Sequence, residues 1–385
     1  MKRRKIVCVV VGTRPEAIKM APIALALKHD ETFQLHLLAT GQHAEMLLNP
    51  LAFFDLVPDD YLGIMKERQS LDHVTATVIT GVGDVLDRLR PSLVLVHGDT
   101  TSTLSATLAA FYRKIPVGHV EAGLRSRDLQ SPFPEEMNRL LTDRLATYWF
   151  APTPLARENL LREDCDAERI WVTGNTVIDA LRVAVSRVDE PSLAELRRIP
   201  ATCRLVLVTA HRRESWGKGL REICTAIRHL TEKIPELWFL VPMHRNPEVR
   251  SVFMEELGAF DRVALCEPLE YPDFVWAMKR STLILSDSGG IQEEAPFLKK
   301  PVLVLREVTE RPEAVLEGTA LLVGTESSRI VRESVRLLTN PQEYAKLVEK
   351  RRNPFGDGNA SERILEALKK SLTTISRHSE PRRNR

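Results

Sequence analysis

Short apolar runs recur along the chain, separated by longer stretches whose apolar positions repeat with helical spacing. This is the rhythm of βαβ units feeding a parallel sheet. The first half holds the strand candidates KIVCVVVG, FQLHLLATG, SLVLVHGD, IPVGHVEAG, ATYWFAPT and RIWVTGN. The second half repeats the count with RLVLVTAHR, ELWFLVPMH, RVALCEPL, STLILSDSG, PVLVLRE and ALLVGT. At 385 residues the chain exceeds what one hydrophobic core usually serves, so the pattern predicts an α/β protein of two domains. Residues 176–203 read as a helix and a Pro-containing connection, which sets the expected domains at 1–175 and 176–372. A last helix is expected from about Ser361 to Leu372, followed by a basic tail, 373–385, without regular structure.

Composition narrows the class. Apolar residues make up 43% and charged residues 28%, an ordinary soluble and cytosol-like profile. Lys and Arg total 54 against 52 Asp and Glu, so no global field points to nucleic acid or an anionic membrane. The start, MKRRKIVCVVVGTRPE, has the charge of a signal peptide but its apolar run stops at Gly12, and it reads as a first strand. No stretch approaches the roughly 20 apolar residues of a membrane span. Cys8, Cys165, Cys203, Cys224 and Cys266 show no close pairing, which argues against a zinc site or a disulfide framework.

The chemistry gathers at strand ends, where parallel α/β sheets bind ligands. Gly12-Thr13-Arg14, Gly41-Gln42-His43, His97-Gly98-Asp99-Thr100, His119 to Gly123, Ala210-His211-Arg212-Arg213, Met243-His244-Arg245 and Ser286 to Gly290 all follow predicted strands. In LILSDSGGIQEEA two glycines precede a helix start. A sharp turn explains glycine there, and so does an anion held by unpaired amides at the positive end of a helix. Glu293 and Glu294 point about 100° apart, so one is expected to take sugar hydroxyls and the other to face solvent. Arg14-Pro15-Glu16-Ala17 returns as Arg311-Pro312-Glu313-Ala314, each with the look of a helix start, and a cap explains every residue but the arginine.

Other nucleotide modes are absent from the sequence. There is no GxxxxGK[ST], and the GxGxxG-like run at Gly81 ends in Leu86 and precedes a strand, which disfavours NAD. No HExxH or clustered ligand spacing suggests a metal. Asp99, Glu121 and the Glu135-Glu136 pair are acid/base candidates, although Pro134 and two glutamates also suit a plain helix start.

GTRPEAIKMAP, TGQH, HGDT, HVEAGLRS, PFPEEMNR, FAPT, GNTVIDA, AHRRES, DSGGIQEEA and TERPEAV, in order from residue 12 to 315, resemble the non-hydrolysing bacterial UDP-N-acetylglucosamine 2-epimerases. The resemblance implies two Rossmann-like domains with parallel sheets facing across a cleft, a glycosyltransferase-B-like fold, in a cytoplasmic homodimer needing neither metal nor cofactor. It implies interconversion of UDP-GlcNAc and UDP-ManNAc through 2-acetamidoglucal and UDP. Asp99, Glu121 and Glu135 would handle protons and His211 would assist the diphosphate. Arg14, Lys19, Ser288, Gly289, Gly290 and Arg311 would hold the phosphates or their surroundings, Glu294 the ribose and Phe274 the uracil. Leu269 departs from the family pattern, which often has glutamine there. Gln42, His43, Arg68, Glu136, Arg212 and His244 match a second, effector UDP-GlcNAc site. A hydrolysing relative releasing ManNAc, a glycosyltransferase of the same fold and a nucleotide-sugar sensor are the rival readings.

Overall fold

The computed structural model describes residues 4–41, 44–64, 69–349 and 352–378, and in it each predicted run is a strand. The first sheet contains β1 (Lys5–Val11), β2 (Phe33–Ala39), β3 (Asp60–Tyr61), β4 (Leu93–His97), β5 (Val117–Val120), β6 (Tyr148–Ala151) and β7 (Ile170–Val172). Its order is β3-β2-β1-β4-β5-β6-β7. The second contains β8 (Arg204–Thr209), β9 (Leu237–Pro242), β10 (Val263–Cys266), β11 (Leu283–Ser286), β12 (Val302–Val304) and β13 (Ala320–Leu322), ordered β10-β9-β8-β11-β12-β13. Every pairing is parallel. The added strand, β3, is two residues long and carries no apolar run for a pattern to detect.

The strands are continuous in apolar residues because helices cover both faces of a parallel sheet. Val7, Cys8, Val9 and Val11 are all fully buried, as are Leu205, Val206, Leu207 and Val208. Covering helices bury one stripe each. In Lys218–Lys233 the enclosed residues include Leu220, Ile223, Cys224, Ile227 and Leu230, at helical spacing. All five cysteines are free, with Cys8, Cys224 and Cys266 buried. Among the described residues no helix is long and apolar enough to cross a membrane.

Strand order reverses between β1 and β4 in the first sheet and between β8 and β11 in the second. At such a switch point the loops leaving adjacent strands turn to opposite faces, and a crevice opens beyond their carboxyl ends. Both RPEA segments start helices as expected. Arg14 opens the helix Arg14–His29, and Arg311 caps Pro312–Leu316.

The chain divides differently from the expected 1–175 and 176–372. Residues up to Ala180 and those from Phe355 onward form one compact unit, and Leu181–Pro354 the other. The last helix, Ala360–His378, extends past Leu372 and belongs to the first unit; residues 379–385 of the expected tail lie outside the described residues. Local polarity explains the return. Buried Asp179 accepts hydrogen bonds from the Ala360 amide at 3.1 Å, the Ser361 amide at 2.8 Å and the Ser361 hydroxyl at 2.6 Å. Lys369, midway along the same helix, pairs with Asp30 at 2.5 Å. Asp179→Ala leaves two buried amides without an acceptor and is expected to lower stability by about 3 kcal/mol in chemical denaturation. An unchanged midpoint would show that the last helix docks without Asp179.

Candidate functional site

In the first unit the β1–β4 switch point is tied together by Glu16. Its carboxylate accepts from the amide of Thr13 at 2.9 Å and that of Gly12, the reaching-back half of the expected capping box. It also accepts from Thr100 Oγ1 at 2.5 Å and Thr103 Oγ1 at 3.2 Å, so one acid braces the loops of both strands. Burial pushes its carboxyl up, against these donors.

Glu121 is the hub of this edge. Its Oε2 lies 2.5 Å from Lys19 Nζ, 2.8 Å from Asn175 Nδ2 and 3.3 Å from His97 Nε2. Its backbone is left-handed, φ +66°, a costly conformation for a residue with a side chain. The amides of Glu121 and Ala122 both donate to Phe150 O, which holds that turn in place. Below it His119 and Asp143 are enclosed, 2.6 Å apart, and Arg125 lies 2.7 Å from Asp143. Burial alone raises the Asp143 carboxyl, but His119 and Arg125 outweigh it and hold it below the usual range.

Asp99 is partly exposed and pairs with Arg139, while Asn138 Nδ2 donates to its carbonyl at 2.9 Å. Both partners come from the helix Glu135–Leu145. Glu135 is half-buried on its first turn, with no hydrogen-bond partner for its carboxylate among the described residues. Glu136 is fully enclosed and accepts from the amides of Ser126 at 2.9 Å and Arg127 at 2.8 Å. These two bonds set the conformation of the 126–127 loop. Lys19 is placed on Glu121. Arg14 sits half-buried at the β1 end of the same unit.

In the second unit the β8–β11 switch point carries a histidine–carboxylate pair. His211 Nδ1 lies 3.0 Å from Asp287 Oδ1, and the amides of His211 and Arg212 donate to Asp287 Oδ2 at 2.7 and 2.8 Å. Asp287 is fully buried while the His211 side chain is 38% exposed. Burial raises the Asp287 carboxyl, yet the bonds from His211 and the two amides prevail and hold it below the usual range. His244 stacks on His211 with ring centres 5.8 Å apart, and burial, then His211, hold the His244 imidazole below its ordinary value. The two histidines, Arg212, Glu214, Trp216 and Asn246 line an open cavity of about 470 Å³.

Asp287 leads directly into Ser288-Gly289-Gly290 and the six-residue helix Gly289–Glu294. Neither glycine is demanded by the protein itself. Neither has positive φ, and an added Cβ would sit 3.8 Å from the Arg311 guanidinium carbon or 3.6 Å from Glu294 Oε1, ordinary contact distances. Gly123 is the contrast, with φ +87° and a Cβ that would overlap the Ala156 carbonyl. Neither the turn nor the packing therefore requires glycine at either position. Arg311 Nε pairs with Glu293 at 2.5 Å, so Glu293 is buried in an ion pair, contrary to the expectation that one acid faces solvent. Glu294 is also buried, beside Gly290. Phe274 is half-buried on the helix Tyr271–Arg280. Gln42, His43 and Arg68 lie outside the described residues.

A family model described as UDP-N-acetylglucosamine 2-epimerase matches residues 25–369. The chain belongs to that family. It is 51% identical over 369 residues to UDP-N-acetylglucosamine 2-epimerase of Salmonella typhimurium, covering 94% of this chain and 98% of that protein. The Escherichia coli K12 enzyme of the same name is 50% identical, covering 96% and 100%. The crystal structure of the Neisseria meningitidis UDP-GlcNAc 2-epimerase bound to UDP-GlcNAc superposes with a TM-score of 0.86 at 47% identity, covering 95% of this chain and all of that one. Within the family's motifs, Arg139 and Asn175 were not singled out by sequence reasoning, and His97 and Asp287 entered only as members of the strand-end group. Asp287 was legible as an acid at the strand end beside that of His211; the others meet their partners only through the fold.

Two outcomes follow for this unit. Gly289→Ala and Gly290→Ala are expected to fold with unchanged or slightly higher stability, as Ala gains up to about 1 kcal/mol over Gly in a helix, while UDP affinity measured by calorimetry falls by about tenfold or more. Undiminished affinity in both would move the anion grip elsewhere. Asp287 has a folded pKa below its unfolded value near 3.8, so its contribution is complete above that value and is lost as pH falls through the folded one. Urea denaturation from about pH 5 downward is expected to show a shallower loss in Asp287→Asn than in the parent chain.

Proposed function

We propose that the chain interconverts UDP-GlcNAc and UDP-ManNAc by inverting C2 of the sugar. The observation that carries this reading is the His211–Asp287 pair at the second switch point, running straight into a glycine pair that packing does not require. A buried carboxylate behind a half-exposed imidazole suits a group that donates to a departing diphosphate. The C1–O bond breaks with its electron pair leaving on UDP. A carboxylate takes the C2 proton, and the C2–H pair becomes the C1=C2 bond of 2-acetamidoglucal. Return of UDP to C1, with a proton delivered to the other face of C2, completes the inversion.

In this reading Asp99, Glu121 and Glu135 handle protons, with Arg139 and Lys19 holding the first two. The Gly289 and Gly290 amides, Ser288, Arg311 and Arg14 serve the phosphates, Glu294 the ribose and Phe274 the uracil. Arg212, Glu136 and His244, with Gln42, His43 and Arg68, form the effector set for a second UDP-GlcNAc. No metal or cofactor is needed for these steps. A cytoplasmic homodimer completes the reading, and the exposed apolar residues Phe111 and Tyr112 on one helix and Met137 and Leu141 on the helix packed beside it support an interface there.

NMR of UDP-GlcNAc in deuterated water tests it. Deuterium at C2 of intact UDP-GlcNAc and UDP-ManNAc is expected. Free ManNAc with UDP would indicate hydrolysis instead, and an unlabelled, unturned substrate would indicate transfer or sensing. Asp99→Asn and Glu121→Gln are each expected to slow exchange by about 1,000-fold with UDP affinity preserved.

A further inference from the structure

His97 closes β4 with its side chain only 4% exposed, and among the described residues neither ring nitrogen has a hydrogen-bond partner. Leaving a buried polar group unbonded costs about 1–3 kcal/mol, so such a residue calls for an explanation. Glu121 Oε2 lies 3.3 Å from Nε2, within ion-pair reach but outside hydrogen-bond geometry. The same oxygen takes Lys19 at 2.5 Å and Asn175 at 2.8 Å. Three side chains from the first helix, the end of β4 and the turn after β7 therefore converge on one carboxylate oxygen, and only the His97 contact is incomplete. Hydrogen bonds at catalytic groups are often long or misaligned before substrate binds and tighten in the complex.

We propose that His97 is a positioning residue for Glu121: its Nε2–H swings onto Oε2 when substrate is bound and fixes the carboxylate in the orientation that exchanges the C2 proton. The assignment deepens the reading of Glu121 as a proton-handling group and rests on it. His97 does not itself touch the sugar. Lys19 supplies the counter-charge to Glu121, Asn175 one neutral bond, and His97 the last angular restraint.

Glutamine places an amide nitrogen near the position of histidine Nε2, and asparagine places one near Nδ1. His97→Gln and His97→Asn therefore differ in the one bond at issue while sharing polarity and similar risk to folding. In the full-length protein, His97→Gln is expected to keep kcat for UDP-GlcNAc within about fivefold, whereas His97→Asn loses about 100-fold with KM within twofold. The primary isotope effect with substrate deuterated at C2 is expected to rise only in the asparagine variant, because proton removal there becomes slower than the other steps. Two variants that behave alike, whether both active or both impaired, would overturn the proposal. Glu121→Gln, run alongside, separates the two levels. Retained C2 exchange in that variant would remove the underlying role of Glu121, while lost exchange together with indistinguishable His97 variants would remove only the positioning role.

Discussion

Each sheet runs all of its strands in one direction, and this constraint organises everything chemical about the molecule. Uniform direction gathers the carboxyl ends of β1, β4, β5 and β7 on one edge of the first unit and those of β8, β9 and β11 on one edge of the second. Reversal of strand order then opens a gap at β1–β4 and at β8–β11. The strands are buried and mostly apolar, so most of the charged residues concentrate where the strands stop. Glu16 and Asp287 do the same structural work in the two units. Each is a buried acid whose acceptor oxygens tie together the loops of two diverging strands.

Exposure separates the bracing acids from the working ones. His119–Asp143 and His211–Asp287 are chemically alike, but the first pair is enclosed on both members while the second presents its imidazole to a cavity. The same division runs through adjacent glutamates. Glu136 turns inward to the 126–127 loop and Glu135 does not, and Glu293 is held by Arg311 while Glu294 lies beside Gly290. In both doublets the 100° step between helical neighbours gives the two acids different surroundings, although Glu293 and Glu294 are both buried.

Local features of the fold were legible in the sequence. Short apolar runs identified the strands, and Thr13, Pro15 and Glu16 identified a helix start, because these signals act within a few residues. Contacts between distant segments were not legible. Nothing near Asp179 announces that Ser361 returns to it, and nothing near Lys19 announces Glu121. Glu293 was misjudged for the same reason, since its partner is set by tertiary packing. The strand-end residues were found as a group because the parallel sheet has only one edge on which to collect them.

The account's central claim is that the second unit's switch point holds the nucleotide diphosphate. A crystal structure of the UDP complex tests it most directly. The account expects phosphate oxygens within hydrogen-bond reach of the Gly289 and Gly290 amides and beside His211, with the ribose hydroxyls on Glu294. A diphosphate seated instead on the loops of the first unit, against Gly12 to Arg14 or Gly98, would contradict it.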